Sequence, residues 1–279
     1  MAQVDCHALI SNLLTNGIPV MWSSGLPVKI AVFYLFVVFV LIFSVDFLEV
    51  RESNIPLWRS LFRDGSVTEW IQWSFLAGSV MISAHISGAL HLHNERASAG
   101  FFVLSVAFSI MLIEDSGNIR HRIGDGVVAA MISSADHYTA RVAKNLFEIV
   151  FYSMISGLII ISSLEIKDTI KSSRPVKFYF LSGFVFYLLA AGGSATSYIG
   201  SWYAKAGHFI LTGAYNFELM VSDSYLRILS ERSYPYSDPG FWFMDSFVEE
   251  SLELLGAAFL LSFLLTIIKS GFCRNHGDV

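Results

Sequence analysis

With 279 residues, 54% of them hydrophobic, and a mean hydropathy of +0.58, the chain is too apolar for an ordinary soluble domain and long enough for one helical bundle in a bilayer. A net charge of −5 gives no basic footprint for nucleic acid. The two cysteines, Cys6 and Cys273, sit near opposite ends without metal-type spacing, which excludes a disulfide framework or zinc knuckle as the organising device.

Residues 1–28 are mixed in character and carry Gly17, Pro19, Gly25 and Pro27, so they are expected to lie against the bilayer as an interfacial segment. They show no basic region followed by a short apolar core and cleavage site, and the first apolar run, about Val28 to Phe47, is expected to stay as an anchor. A charged loop follows with Arg51, Arg59 and Arg63. The second span runs from about Val67 to His91. Its start is marked by Ser66-Val67-Thr68-Glu69, which has capping-box spacing, and by Trp70 and Trp73, which suit a membrane interface.

The third span runs from about Gly100 into Glu114-Asp115 and is expected to continue as helix to His121, before the Gly124-Asp125-Gly126 break. A short interfacial helix fits 127–139. The fourth span covers about Leu146 to Ser163, and the fifth runs from beyond Pro175 to about Gly193. Residues 195–243 are short of a full span and read as a re-entrant or interfacial connection. The last span runs from about Asp245 to Ile268. The expected fold is therefore all-α: a single integral membrane domain over 1–279, a polytopic bundle of six spans, with seven as the alternative if 195–243 crosses once more.

Six spans bring the acids together. Alternating helix directions place Asp46, Glu69, Glu114, Asp115, Glu148 and the Asp245–Glu253 run at one side of the membrane. Carboxyl groups in hydrocarbon are costly, and they are usually retained because they bind or move something. Asp245, Glu249 and Glu253 are spaced i, i+4, i+8 and share a helix face. Gly256, three residues on, lets a neighbouring helix come close. Glu114, Asn118 and His121 have i, i+4, i+7 spacing. Two such stripes offer oxygens and an imidazole, a set that suits hard or borderline divalent cations, and crowded carboxyl groups can equally hold protons.

Several of these residues have simpler explanations. Glu69 reads first as a capping-box acid, Glu148 as the partner of Lys144, and Asp245 as a helix-dipole partner. Arg120 and Arg122 offer Glu114-Asp115 a charge-paired helix end. His85, His91 and His93 match no membrane histidine-box spacing. No nucleophile elbow, phosphate loop or dinucleotide fingerprint occurs.

Three segments, Asp64-Gly65-Ser66-Val67-Thr68-Glu69-Trp70, Ile113 to His121 and Glu249-Glu250-Ser251-Leu252-Glu253-Leu254-Leu255-Gly256, resemble acidic motifs of uncharacterised multi-pass bacterial membrane proteins. The resemblance implies a bacterial inner-membrane setting and shared geometry, with no activity attached. The absence of an Asn-x-Ser/Thr sequon is in keeping with it. The Glu249-Glu250 pair also invites comparison with intramembrane CAAX-type proteases. Leu254 stands where their arginine belongs, and Arg120 falls one position too far from Glu114-Asp115.

The sequence thus points to a membrane protein with a carboxylate-lined cation or proton site, most simply a transporter or channel, built from Glu114, Asp115, Asn118, His121, Glu249, Glu250 and Glu253. The cofactor could be a divalent cation held by Glu114, His121, Glu249 and Glu253. An intramembrane metal-dependent enzyme acting on a lipid or apolar substrate is the first alternative, and a non-catalytic subunit of a membrane assembly the second. The expected partners are the bilayer and either another membrane protein or further copies of the chain. The slight excess of Lys and Arg on the acid-bearing side leans toward a cytoplasmic placement of that side.

Overall fold

The computed structural model describes residues 24–42, 57–62, 65–92, 95–119, 137–171, 173–197, 201–214 and 238–269, together with positions 44, 122, 123, 126 and 199. All the regular structure among them is helical. The helices are α1 (Leu26–Ile42), α2 (Leu57–Leu61), α3 (Val67–Leu92), α4 (Ala97–Gly117), α5 (His137–Glu165), α6 (Lys167–Lys171), α7 (Arg174–Thr196), α8 (Trp202–Ala214) and α9 (Pro239–Lys269). Within α9 the stretch Phe243–Val248 is a π-helix, after which Glu249–Lys269 is regular α-helix. The expected interfacial segment before residue 24, His121 and residues 215–237 lie outside the described residues.

Among the described residues, five helices are long and apolar enough to cross a membrane: α3, α4, Leu146–Glu165 of α5, α7 and α9. Residues 43 and 45–47 of the expected first span lie outside the described residues, and the described helix α1 is apolar with 17 residues. At about 1.5 Å per residue that is roughly 26 Å, a little under the hydrocarbon thickness of about 30 Å. Residues 202–214 form the short helix α8, packed against the opening of α9. The expected connection after α7 therefore contains a helix that folds back on the bundle.

α9 is the most buried of the five spans, with α7, α3 and α1 packed around it. α4 packs on α3 and on α5, while α5 and α7 touch only sparsely. Large apolar side chains such as Phe33 and Phe36 of α1, Val150 of α5 and Leu181 of α7 stay exposed on the outside, the surface a bilayer would cover.

Small and hydroxylated residues bring these helices together, as expected where apolar surface alone gives no preference for a helix over lipid. Ser87 and Ser98 each donate to the other's backbone carbonyl at 2.9 Å, locking the end of α3 to the start of α4. Ser105 of α4 donates to the Val80 carbonyl of α3 at 3.2 Å, and Ser162 of α5 donates to the Gly100 carbonyl of α4 at 2.9 Å. Thr68 donates to the Leu61 carbonyl at 2.6 Å and meets the Tyr34 hydroxyl at 2.8 Å, so α1, α2 and α3 share one buried threonine.

Candidate functional site

α3 enters the bundle carrying Glu69 and, one turn further, Gln72. The capping box is displaced by one residue: the Glu69 carboxyl accepts from the Gly65 backbone N–H, and the buried Ser66 hydroxyl has no hydrogen-bond partner. Gly65 makes this possible because its φ of 75° lies in the left-handed region open to glycine. Glu69 is nonetheless buried, so its capping role and its place among the acids coexist.

Gln72 is fully buried and stands between two carboxyl groups. Its Nε2 donates to Asp115 Oδ2 at 2.6 Å and to Glu253 Oε2 at 3.0 Å. One amide on α3 thereby ties the end of α4 to the regular part of α9. Its Oε1 is buried without a partner. The pairing places the start of α3, the end of α4 and the acidic end of α9 at one level of the bundle, the convergence that alternating helix directions require.

The other acids gather around this bridge. Asp115 lies within electrostatic reach of Glu253, Glu114 and Glu69, and Glu250 within reach of Glu253, Asp115, Glu69 and Glu249. One carboxyl oxygen of Glu250, Oε2, is buried with no hydrogen bond. Glu249 turns elsewhere: it accepts from the Tyr203 hydroxyl of α8 at 3.0 Å, and both residues are buried. Asp245, in the π-helical turn, is also within reach of that phenol. The wide π turn thus sits where the chain passes from the α8 contact to the Gln72 bridge, a common position for such an irregularity at functional sites.

A partly open cavity of about 50 Å³ lies beside the bridge, between α3, α4, α5, α7 and α9. Gln72, Glu114, Asp115 and Glu253 form its polar end, with Tyr187 of α7 and Tyr152 of α5 alongside. Apart from Ser156, the rest of its wall is apolar. The Tyr187 hydroxyl is buried and has no hydrogen-bond partner.

Of the residues expected from sequence, Glu114, Asp115 and Glu253 therefore meet at the cavity. Glu250 adjoins them, and Glu249 belongs to the Tyr203 contact. Asn118 takes a different role. It is left-handed at φ 48°, ψ 40°, and its backbone N–H bonds to the carbonyls of Glu114 and Asp115, so it caps α4. The helix expected to run through to His121 ends at Gly117, and Glu114 and Asn118 do not share a continuous helical face. His121 lies outside the described residues. Among the described residues no three His, Cys, Asp or Glu side chains come together as a metal-ligand set. Glu249 and Glu253, both expected as metal ligands, bond instead to Tyr203 and Gln72. Glu148 is buried in α5, and the side chain of its expected partner Lys144 lies outside the described residues.

Gln72, Tyr187 and Tyr203 were not among the residues expected from sequence. Gln72 carried a readable signal, an amide one turn past Glu69 in a span whose other polar residues are mostly serines. The tyrosines carried none, because aromatic residues are common throughout membrane helices.

These features define a class: among the described residues, a helical bundle with five helices long and apolar enough to cross a membrane and an acidic cluster at one level between them. Comparison with protein-family models, with characterised proteins and with solved structures finds no match to the chain.

Proposed function

We propose that the chain is an integral membrane transporter or channel whose acidic cluster is a cation or proton site. The observation that carries this reading is the Gln72 amide donating to both Asp115 and Glu253 at the wall of a cavity inside the bundle. Carboxyl groups crowded in a low-dielectric setting need a shared proton, a bound cation or strong donors to coexist. Here one amide donor serves two of them and leaves its own carbonyl oxygen open. Protons or a hydrated monovalent cation suit this arrangement better than a tightly ligated metal, because no three-ligand set forms among the described residues.

The same reading takes the apolar α1 as a sixth span and the membrane as a bacterial inner membrane. It leaves the lipid-acting metal enzyme and the partner-pairing subunit without an observation of their own. The test is flux into liposomes holding a pH-sensitive or alkali-cation-sensitive dye. Wild type is expected to dissipate an imposed gradient, and Asp115→Asn/Glu253→Gln to do so at least tenfold more slowly. Equal rates in protein-free, wild-type and variant liposomes would overturn the reading.

A further inference from the structure

α8 sits at the boundary where one span ends and the next begins. Gly183 of α7 meets Leu260 of α9, and Tyr187, four residues on, meets Gly256, four residues back. The two helices therefore run antiparallel, and the end of α7 lies beside the start of α9. α8 is tied to both. The Trp202 indole N–H donates to the carbonyl of Thr196, the last residue of α7, at 3.0 Å, and the Tyr203 hydroxyl donates to Glu249 of α9 at 3.0 Å. With 13 residues, α8 is about 20 Å long, too short to cross a hydrocarbon core of about 30 Å.

The two faces of α8 differ. The inner face is fastened to the opening of α9: Tyr203 and Ala204 are buried, Gly207 crosses Gly240 with no room for a side chain on either, and His208 Nε2 meets Asp238 Oδ1 at 2.9 Å. Asp238 in turn caps α9 by accepting from the Gly240 and Phe241 backbone N–H groups. The outer face carries Trp202, Lys205 and Phe209 at i, i+3 and i+7, with Ile210 beside them, and all four are exposed. Phe209 reaches 78% exposure. The indole N–H of Trp202 is already satisfied, so what it offers outward is apolar ring. A helix facing water would be polar on its outer side, whereas this one shows two aromatic rings and an isoleucine around a single cation. Among the described residues, the opening of α9 is the element against which α8 packs closely.

We propose that α8 is an in-plane membrane anchor, its outer face seated in the leaflet where headgroups meet acyl chains. Trp202, Phe209 and Ile210 lie toward the chains, and the Lys205 ammonium reaches back to lipid phosphate. Aromatic rings and a long-stemmed cation are the side chains that settle at that depth. The leaflet is the occupant because the boundary position brings it to this face without any further association, and Lys205 supplies the charge complement of a phosphate. Held between the leaflet and α9, α8 keeps the Tyr203 donor on Glu249, whatever the carboxyl cluster binds.

The experiment is spin labelling of the full chain, with Cys6 and Cys273 replaced by serine, in phosphatidylcholine vesicles. Labels at Phe209→Cys and Ile210→Cys are compared with one at Phe36→Cys, on the outside of α1, by collision with oxygen, which concentrates in hydrocarbon, and with a water-soluble nickel chelate. Oxygen is expected to outweigh the chelate at least threefold at positions 209 and 210, with a larger excess at position 36. A label at 209 that collides mainly with the chelate would place the face in water and overturn the proposal. A label shielded from both would place a protein surface there and overturn it equally. Hydrogen exchange in nanodiscs tests the anchoring. Phe209→Asp, a change at an exposed side chain, is expected to speed exchange across residues 202–210 at least tenfold and to leave α3 and α4 unchanged. Unaltered exchange would show that the leaflet does not hold α8 and would overturn the anchoring. If Phe209→Asp loses protection across the whole bundle, the label depths decide.

Discussion

The ring of Tyr187 lies directly over Gly256, where a β-carbon on the glycine would come within 2.5 Å of the tyrosine Cδ2. The missing side chain lets α7 and α9 close together and sets the tyrosine hydroxyl beside the carboxyl cluster. About one turn away along each helix, Gly183 of α7 repeats the device against Leu260 of α9, where an added β-carbon would meet the leucine Cγ at 2.7 Å. Two glycines, one on each helix, therefore hold the seam that carries one wall of the cavity.

Gly256→Ala is expected to destabilise the protein, because the obstruction is a rigid aromatic ring and cannot be relieved by a small rotation. Overpacking of this kind costs about 1–3 kcal/mol. Thermal unfolding in detergent checks it. Gly88→Ala in α3, which has open space around the glycine, is the control expected to be neutral or slightly stabilising.

The Gln72 bridge predicts coupling between three helices. Gln72→Leu removes the donor that serves Asp115 and Glu253 together and is expected to lower stability by about 1–3 kcal/mol. Glu253→Gln removes one acceptor and keeps the shape. Combining it with Gln72→Leu is expected to cost less than the two single losses added. Unfolding of the single and double variants measures that coupling, and strict additivity would show that the bridge carries no energy.

Much of the fold was legible because hydrophobic runs of about 20 residues are a strong signal, and α3 begins at Val67 as its capping spacing predicts, whereas α5 and α9 start earlier than their apolar runs, at His137 and Pro239. Gly256 was legible for the same reason, since a small residue three positions after Glu253 has a helix-packing use. What could not be read was where continuity fails. Asn118 is compatible with a helix interior by spacing, and only its left-handed backbone shows that α4 stops at Gly117. The π turn before Glu249 was equally hidden, because nothing in the run Phe243–Val248 distinguishes it from ordinary α-helix by residue type or spacing. Gly207 and Gly240 form the tight crossing there: a side chain at either would run into the backbone of the other helix.

The reciprocal serine pair gives a further prediction. Ser87 and Ser98 each donate to the other's carbonyl at 2.9 Å, and both are buried. Polar contacts between membrane helices average about 0.6 kcal/mol and reach roughly 1.7 kcal/mol. Ser87→Ala and Ser98→Ala are each expected to fall in that range, since each leaves one carbonyl short of a donor. The double variant is expected to separate the end of α3 from the start of α4. Faster hydrogen exchange confined to residues near 87–98 would be its signature. Uniform exchange across the bundle would assign the pair no local role.

The contact between α8 and α9 predicts a pH dependence. Burial pushes the Tyr203 phenol well above its ordinary range, and the neighbouring Glu249 and Asp245 carboxyl groups push it further in the same direction. The phenol is therefore a neutral donor to Glu249 throughout the neutral range. In the unfolded chain it titrates near about pH 10. Because the folded state binds this proton more tightly, its contribution is fully present below about pH 10 and is lost as the pH rises beyond it. Tyr203→Phe is expected to cost about 1–3 kcal/mol at neutral pH, since it leaves buried Glu249 without this donor. It should also flatten the alkaline limb of the stability profile. Melting temperatures of the wild type and Tyr203→Phe between about pH 7 and 11 test both halves. A parallel decline of the two proteins above about pH 10 would assign the alkaline sensitivity to another group.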